Sequence, residues 1–490
     1  GDRGPSSLDW AILDEESRWG VTVLQANAEM DAGDIWASVE FDMRAAGKAS
    51  LYRNEVTDAA VQAMLLAVDR FLAGDYRPEP LNAEDPKVRG KLRPLLSQAE
   101  RAIDWQRDDT RTVLKKLRSA DGFPGVRDQF FGREMFLHDA HPEGILRGEA
   151  GVLIARCGPA VCRATKDGAI WIGHLRNKHA DHPFKLPATR VLADHIQDLP
   201  EITADANTGY RDIWYEEHGD VGYLHFPFYN GTMGTAQCER LRAAYIEARQ
   251  RDTRVIVLMG GPDYWSNGMH LNLIEASDSA AEESWRNINA IDDLAKEIIS
   301  TASQLTVAAL QGNAGAGGVF LARAADEVWA RQGVILNPHY KDMGNLHGSE
   351  YWSYLMPRYA GAENADRIAR ARLPMGVPEA RELGLVDASF GHRVNEFADA
   401  CRQRAARLAS VPAYDMRLEY KNRRRAADEH NKPLEQYREE ELEHMYRNFY
   451  GFDPSYHVAR YNFVYKVPKS RTPLTIARHR RTVERLRRIS

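Results

Sequence analysis

Hydrophobic and polar positions follow two different rhythms along this chain. Between Gly20 and Ile35 they alternate on either side of Asp31-Ala32-Gly33-Asp34, which predicts strand, turn and strand. From Ser50 to Gly74 the period lengthens. Val56, Ala60, Met64, Leu65, Val68, Phe71 and Leu72 recur at three- and four-residue steps, the spacing of one helix face. The Pro- and charge-rich DYRPEPLNAEDPKVRGKLRP then predicts a linker. Residues 98–200 combine a helix from Thr110 to Ser119, the turn DGFPG and the short strands GVLIARCG, AVCRATKDG and AIWIGHL, the pattern of a small β-rich domain. After a second linker, ADHIQDLPEITADANTGYR, strands and helices alternate. VGYLHFPF leads to a helix over 234–251, RVIVLMGG to one over 280–302 and TVAALQG to one over 315–324, which predicts an α/β domain. Beyond about residue 400 the chain is charged and helical, broken by Pro433, Pro454, Pro468 and Pro473.

Composition narrows the class. A chain of 490 residues is too long for one ordinary core, so two or three domains are expected. Hydrophobic residues make 43% and charged residues 28%, and no apolar run approaches the roughly 18 residues of a bilayer span, so no membrane crossing is expected. No basic, apolar and small-residue leader opens the chain, which sets cytoplasmic as the expected compartment. The four cysteines, Cys157, Cys162, Cys238 and Cys401, are too few for a disulfide framework and fit no zinc spacing. His138, His141, His174, His179 and His182 match no metal pattern either, so no metal is expected. The net charge of -5 conceals basic clusters at Arg423, Arg424 and Arg425 and again from Arg478 to Arg488. A solvated helix face with Glu439, Glu440 and Glu441 as partners accounts for these clusters. A small phosphorylated ligand is the other reading, and the acidic total disfavours nucleic acid.

The chain opens with GDRGPSSLDWAI, with no Met, and reads as the second half of a domain. RGPSSLDWAI, WGVTV and EMDAGDIW, in that order, resemble the 10-formyltetrahydrofolate formyltransferases. AIDW (102–105) and DGFPG (121–125) resemble the C-terminal domain of the same family. The resemblance makes Asp31 the surviving member of a catalytic Asn, His and Asp set, the carboxylate that orients the His while other groups polarise the carbonyl and accept the proton. The Asn and His are absent from this sequence, so formyl transfer from folate by this chain is not expected.

VIVLMGGPDYWSNGMHLN and LTVAALQGNAGAGGVFLARAADEVWA resemble the crotonase (enoyl-CoA hydratase/isomerase) superfamily. That family grips a thioester oxygen with two backbone amides, which the resemblance places at Asn267 and Gly317. Small residues let the backbone approach the substrate there. The resemblance also shows a change. Hydratases carry a Glu three residues after the second amide, where this chain has Phe320, and the segment for their second Glu reads VILNPHYKDMGNLHGSEYW. Water addition needs both carboxylates, so another thioester chemistry is expected. Tyr340 as hydrogen-bond donor and Glu350 as base are its candidates, with His339 and Lys341 as less favoured neighbours. Asn230 and Arg471 fall where crotonases contact coenzyme A and its phosphates.

Formyltransferase-like and crotonase-like parts in this order resemble the HypX (HoxX) family of [NiFe]-hydrogenase maturation proteins over essentially the whole chain. The resemblance implies an α/β multidomain protein: the C-terminal part of a Rossmann-like catalytic domain over 1–85, a β-rich domain over 86–205, a crotonase-like domain over 206–400 and a helical extension over 401–490. It implies a route from 10-formyltetrahydrofolate to formyl-coenzyme A and on to carbon monoxide for the hydrogenase iron, with coenzyme A and hydrogenase assembly proteins as partners. An altered acyl-CoA hydratase, isomerase or hydrolase, a tRNA-linked formyltransferase, and a non-catalytic maturation scaffold remain as alternatives.

Overall fold

The computed structural model describes residues 2–82, 84, 90–371 and 373–468. They fall into two compact units that meet in sequence at Arg211 and Asp212.

In the first unit, strands Arg18–Leu24 and Ile35–Asp42 pair antiparallel around the predicted turn, the second strand running seven residues beyond the expected end at Ile35. The helix that follows corrects the expectation for its buried face. Lys48–Leu51, one π turn at Tyr52–Val56 and Thr57–Ala73 run on from one another, but Ala59, Ala63 and Ala67 are the buried residues of the last segment, whereas Met64 is 53% and Phe71 68% exposed. Small side chains at i, i+4 and i+8 let the helix pack closely against Ala37 and its neighbours on the two strands.

The β-rich part is an antiparallel sheet with strands in the order Val126–Phe130, Arg133–Glu143, Ala169–Arg176, Ala160–Ala164 and Leu153–Cys157. Helix Thr110–Ala120 packs Val113, Leu114 and Leu117 against Val126, Leu137, Ile170 and Ile172, and Asp109 caps it by accepting the Thr112 amide at 2.8 Å. The second predicted linker is not loose. Ile196 and Tyr210 are buried, and residues 200–202 pair with Arg156, because an apolar residue every few positions gives this polar stretch something to bury.

The second unit holds a six-stranded sheet in the order Ala388–Ser389, Glu327–Ala330, Leu305–Leu310, Val255–Gly260, Val221–Phe226 and Trp214–His218, parallel except for the last strand. Every residue of its two central strands is buried. Their period of two explains this: Ile256, Leu258, Ala308 and Leu310 face one core, and Val255, Val257, Val307 and Ala309 face the other. Helices Thr235–Arg249 and Ala280–Ile299 cover the first face, and Val394–Ser410 covers the second through Phe397, Cys401 and Ala405. A smaller sheet, Tyr264–Ser266, Asn313–Gly315, Ile335–Asn337 and Met375–Gly376, lies in the same unit. Helices Tyr414–Asn431, Leu434–Tyr450 and Ser455–Val464 follow, separated at Pro433 and Pro454 as the sequence predicts. All four cysteines are buried, and none is in a disulfide.

Candidate functional site

The smaller sheet brings the two glycine-rich motifs together. Tyr264–Ser266 and Asn313–Gly315 run parallel with Ser266 opposite Ala314, so the chain leaves both strands at the same end. One exit is Asn267-Gly268 and the other Ala316-Gly317, close enough that a Cβ on Gly268 would lie 3.3 Å from the Gly317 amide nitrogen. The helix predicted over 315–324 begins only at Gly317, because Asn313–Gly315 is taken up by strand pairing and Ala316 turns the chain at φ 47.

Of the two amides expected to face the thioester oxygen, only Gly317 remains uncommitted. It opens helix Gly317–Arg323, where an amide has no acceptor within the helix. The Asn267 amide instead donates to the Gly231 carbonyl at 2.6 Å, and its side-chain Nδ2 donates to the Asn230 carbonyl at 2.8 Å. That commitment corrects the role expected for Asn267, which is a brace between two turns. Two residues on, the Met269 amide makes no hydrogen bond among the described residues. Asn230 is exposed, at φ 56 in the Tyr229–Gly231 turn. Arg471 lies outside the described residues, as do the basic residues from Arg478 onward.

Tyr340 and Glu350 do meet. The Tyr340 hydroxyl donates to Glu350 Oε2, and both residues are buried. The other carboxyl oxygen packs against the helix start, so that a Cβ on Gly317 would come within 2.0 Å of Glu350 Oε1. Phe320, which the resemblance sets where hydratases carry a Glu, has its ring centre 5.4 Å from that of Tyr340 and 6.4 Å from that of Trp352. The pair is thus walled by aromatic carbon on one side and backbone on the other. His339 is buried beside it in sequence and Lys341 is half-buried. His347 stacks on His444, ring centres 4.2 Å apart, and burial followed by that neighbour and Lys341 lowers its pKa to about 4.

Two further acids hold the turn that bears Glu350: Asp292, which sequence reasoning missed, and Glu441, which it placed on a solvated helix face and which is instead buried. Asp292, from helix Ala280–Ile299, accepts the Glu350 amide at 2.8 Å and the Ser349 hydroxyl at 2.7 Å. Glu441, from helix Leu434–Tyr450, accepts the Tyr351 amide at 3.0 Å and the Ser353 amide at 2.8 Å. Burial raises the pKa of Glu350 to about 8, of Glu441 to about 8 and of Asp292 to about 6, and the Asp292 charge adds to the rise at both glutamates. Burial and then the Glu350 carboxyl push the Tyr340 phenol well above its ordinary range. The signal available in the sequence was an acid on an apolar stripe: Asp292 sits among Ile288, Ile291 and Ala295, and Glu441 shares a face with Leu434, Met445 and Phe449.

In the first unit Asp31, exposed at φ 58, accepts the Gly4 amide at 3.0 Å, which joins the Arg3-Gly4 and Asp31-x-Gly33-Asp34 motifs. Elsewhere in that unit, His141 and His174 both hydrogen-bond the Asp139 carboxyl, at 2.8 and 3.0 Å, and Tyr210 donates to it at 2.6 Å.

A crotonase-type core joined to a formyltransferase-type β domain defines the class. Residues 224–454 match the enoyl-CoA hydratase/isomerase family, and residues 95–182 match the formyl transferase C-terminal domain. A methionyl-tRNA formyltransferase of Streptococcus agalactiae is 27% identical over 34% of this chain and 52% of its own length. The hydrogenase maturation factor HoxX of Bradyrhizobium diazoefficiens is 57% identical over 98% of this chain and 84% of its own length. HypX from Aquifex aeolicus, solved in complex with tetrahydrofolic acid, superposes with a TM-score of 0.93 at 45% identity, covering 98% of this chain and 85% of that one. The chain belongs to the HypX (HoxX) family of hydrogenase maturation factors.

Proposed function

We propose that the crotonase-type unit releases carbon monoxide from formyl-coenzyme A, in a protein whose formyltransferase part supplies the formyl group from 10-formyltetrahydrofolate. The observation that carries this reading is the buried Tyr340–Glu350 hydrogen bond set against Gly317, with Phe320 where water-adding relatives need a carboxylate. The tetrahydrofolic acid bound by the Aquifex aeolicus relative supports the choice of formyl donor.

A formyl thioester has no α-carbon, so enolate chemistry is closed to it and the only proton available on carbon is the formyl one. The Gly317 amide, with the Met269 amide as second donor in place of Asn267, polarises the formyl oxygen. The Glu350 carboxylate takes the formyl proton while the carbon–sulfur bond breaks and its electron pair leaves on sulfur. Tyr340 then gives its proton to the thiolate and is reprotonated by Glu350. Thioester becomes carbon monoxide and free thiol with nothing added or lost, and the aromatic wall of Phe320 and Trp352 limits hydrolysis to formate. Asn230 and Arg471 are assigned to the coenzyme A moiety, and Asp31 to orienting the formyl-transfer His, a residue that this sequence does not contain. Hydrogenase assembly proteins are the partners this reading requires.

Trapping released gas with reduced haemoglobin in the presence of formyl-coenzyme A tests the reading. Tyr340→Phe and Glu350→Gln should each lower release by about a hundredfold or more, the scale of a lost general acid or base. Release at the parental rate by either variant would remove that residue from the mechanism.

A further inference from the structure

We propose that Asp292 and Glu441 are positioning residues, two buried carboxyls on separate helices that hold the 349–353 turn so that Glu350 faces Gly317 and Tyr340. The proposal rests on the catalytic reading of Tyr340 and Glu350 given above.

The backbone of the turn is the starting point. Glu350 has φ 63 and Tyr351 φ 58, two consecutive side-chain-bearing residues in the left-handed region. Such a conformation is uncommon for a bulky residue and persists only where the surroundings over-determine it. Asp292 Oδ1 takes the Glu350 amide and Oδ2 the Ser349 hydroxyl. Glu441 Oε2 takes the Tyr351 amide and lies 3.3 Å from the Ser349 hydroxyl, while Oε1 takes the amide and the hydroxyl of Ser353. The Ser353 amide belongs to the first turn of helix Trp352–Ala371, so Glu441 supplies from another helix an acceptor that a helix start lacks. Among the described residues neither acid hydrogen-bonds Tyr340 or the Glu350 carboxyl, so both act through the turn.

Packing alone does not ask for these acids. Asp292 is 0% and Glu441 1% exposed, the first beside Ile288, Ile291 and Ala295 and the second beside Leu434, Met445 and Phe449, where an apolar residue would avoid the desolvation of a carboxyl. Their second effect is electrostatic. The groups facing Glu350 are Asp292, Glu441, Tyr340 and Cys238, with Arg438 behind Asp292 at 4.0 Å. The two acids disfavour the Glu350 carboxylate, and removing the Asp292 charge makes Glu350 easier to ionise.

The test compares wild type, Glu350→Gln, Asp292→Asn, Glu441→Ala and the isosteric Glu441→Gln for carbon monoxide release from formyl-coenzyme A between pH 6 and 9. Amide hydrogen exchange over 349–353 is measured alongside. Glu441→Ala should lower kcat by at least about tenfold with KM within about twofold, since a misaimed base loses rate rather than binding. Glu441→Gln, which keeps one acceptor, should lie between it and wild type and serves if the Ala variant does not fold. Asp292→Asn should move the rising limb of the kcat profile to lower pH, which a purely structural role would not do. Faster exchange confined to the amides of Glu350, Tyr351 and Ser353 should accompany the losses. Wild-type kcat, pH profile and exchange in both the Asp292 and Glu441 variants would overturn the positioning roles. Undiminished release by Glu350→Gln would overturn the catalytic reading instead.

Discussion

A Cβ on Gly317 would come within 2.0 Å of Glu350 Oε1, which makes the absence of a side chain there part of the proposed catalytic geometry. Gly317→Ala should therefore displace the Glu350 carboxyl and cut carbon monoxide release by about a hundredfold, and restored release in that variant would detach Glu350 from the helix start. A base whose pKa is raised to about 8 is mostly protonated at neutral pH. Release should thus climb about tenfold per pH unit up to about pH 8 and then level off, whereas a flat profile between pH 6 and 8 would exclude Glu350 as base. Tyr340 and Glu350 were legible in the sequence because they stand in a segment where the family pattern is broken. Asp292 and Glu441 were not, because an acid on a charged helix reads as solvent-facing until the neighbouring helices are placed. Asn267 was misread for a related reason: its amide is claimed by Gly231, 36 positions earlier, and motif spacing carries no trace of that bond.

Helix Thr57–Ala73 shows how an element can be read correctly and its orientation missed. Periodicity gave its span, but the large residues Met64, Leu65, Phe71 and Leu72 are exposed and the alanines are inside. Hydrophobicity ranks Leu above Ala, while close approach to a sheet ranks Ala above Leu. Ala63→Leu should consequently destabilise the first unit by about 1–3 kcal/mol through overpacking, and Leu65→Ala should change it by less than about 0.5 kcal/mol. Chemical denaturation distinguishes the two, and the opposite order would refute the orientation. Elsewhere, the central strands Val221–Phe226, Val255–Gly260 and Leu305–Leu310 were legible to within a residue or two, because strands buried on both faces have no competing pattern, whereas the smaller sheet and helix Trp352–Ala371 were not foreseen. The start of helix Gly317–Arg323 was not, since pairing of Asn313–Gly315 with a strand some 50 residues earlier overrides local preference.

At the scale of the whole molecule, buried carboxyls in the two units answer pH in different senses. In the second, Asp292, Glu350 and Glu441 keep protons at pH values where the unfolded chain, with ordinary carboxyl groups, has released them. The contribution of these groups to stability is therefore full in mild acid and falls as pH rises towards about 8. His347, held neutral by burial, opposes this only below about pH 6.5. In the first unit burial disfavours the Glu143 carboxylate, yet the amides of Ile145, Gly209 and Leu146 and the Trp171 indole hold its pKa at about 2, so stability is lost there in strong acid. Calorimetry should show the transition of the second unit falling by about 5 °C or more between pH 6.5 and 8.5, with the slope flattened in Glu441→Gln. A transition unmoved by pH would mean that these acids are ionised in the folded state. Because the turn bearing Glu350 is held by acids 58 positions before it and 91 after it, the proposed chemistry is not portable as a loop. Transplanting residues 337–353 into a hydratase without those two helices should carry both candidate side chains across and leave the recipient without carbon monoxide release.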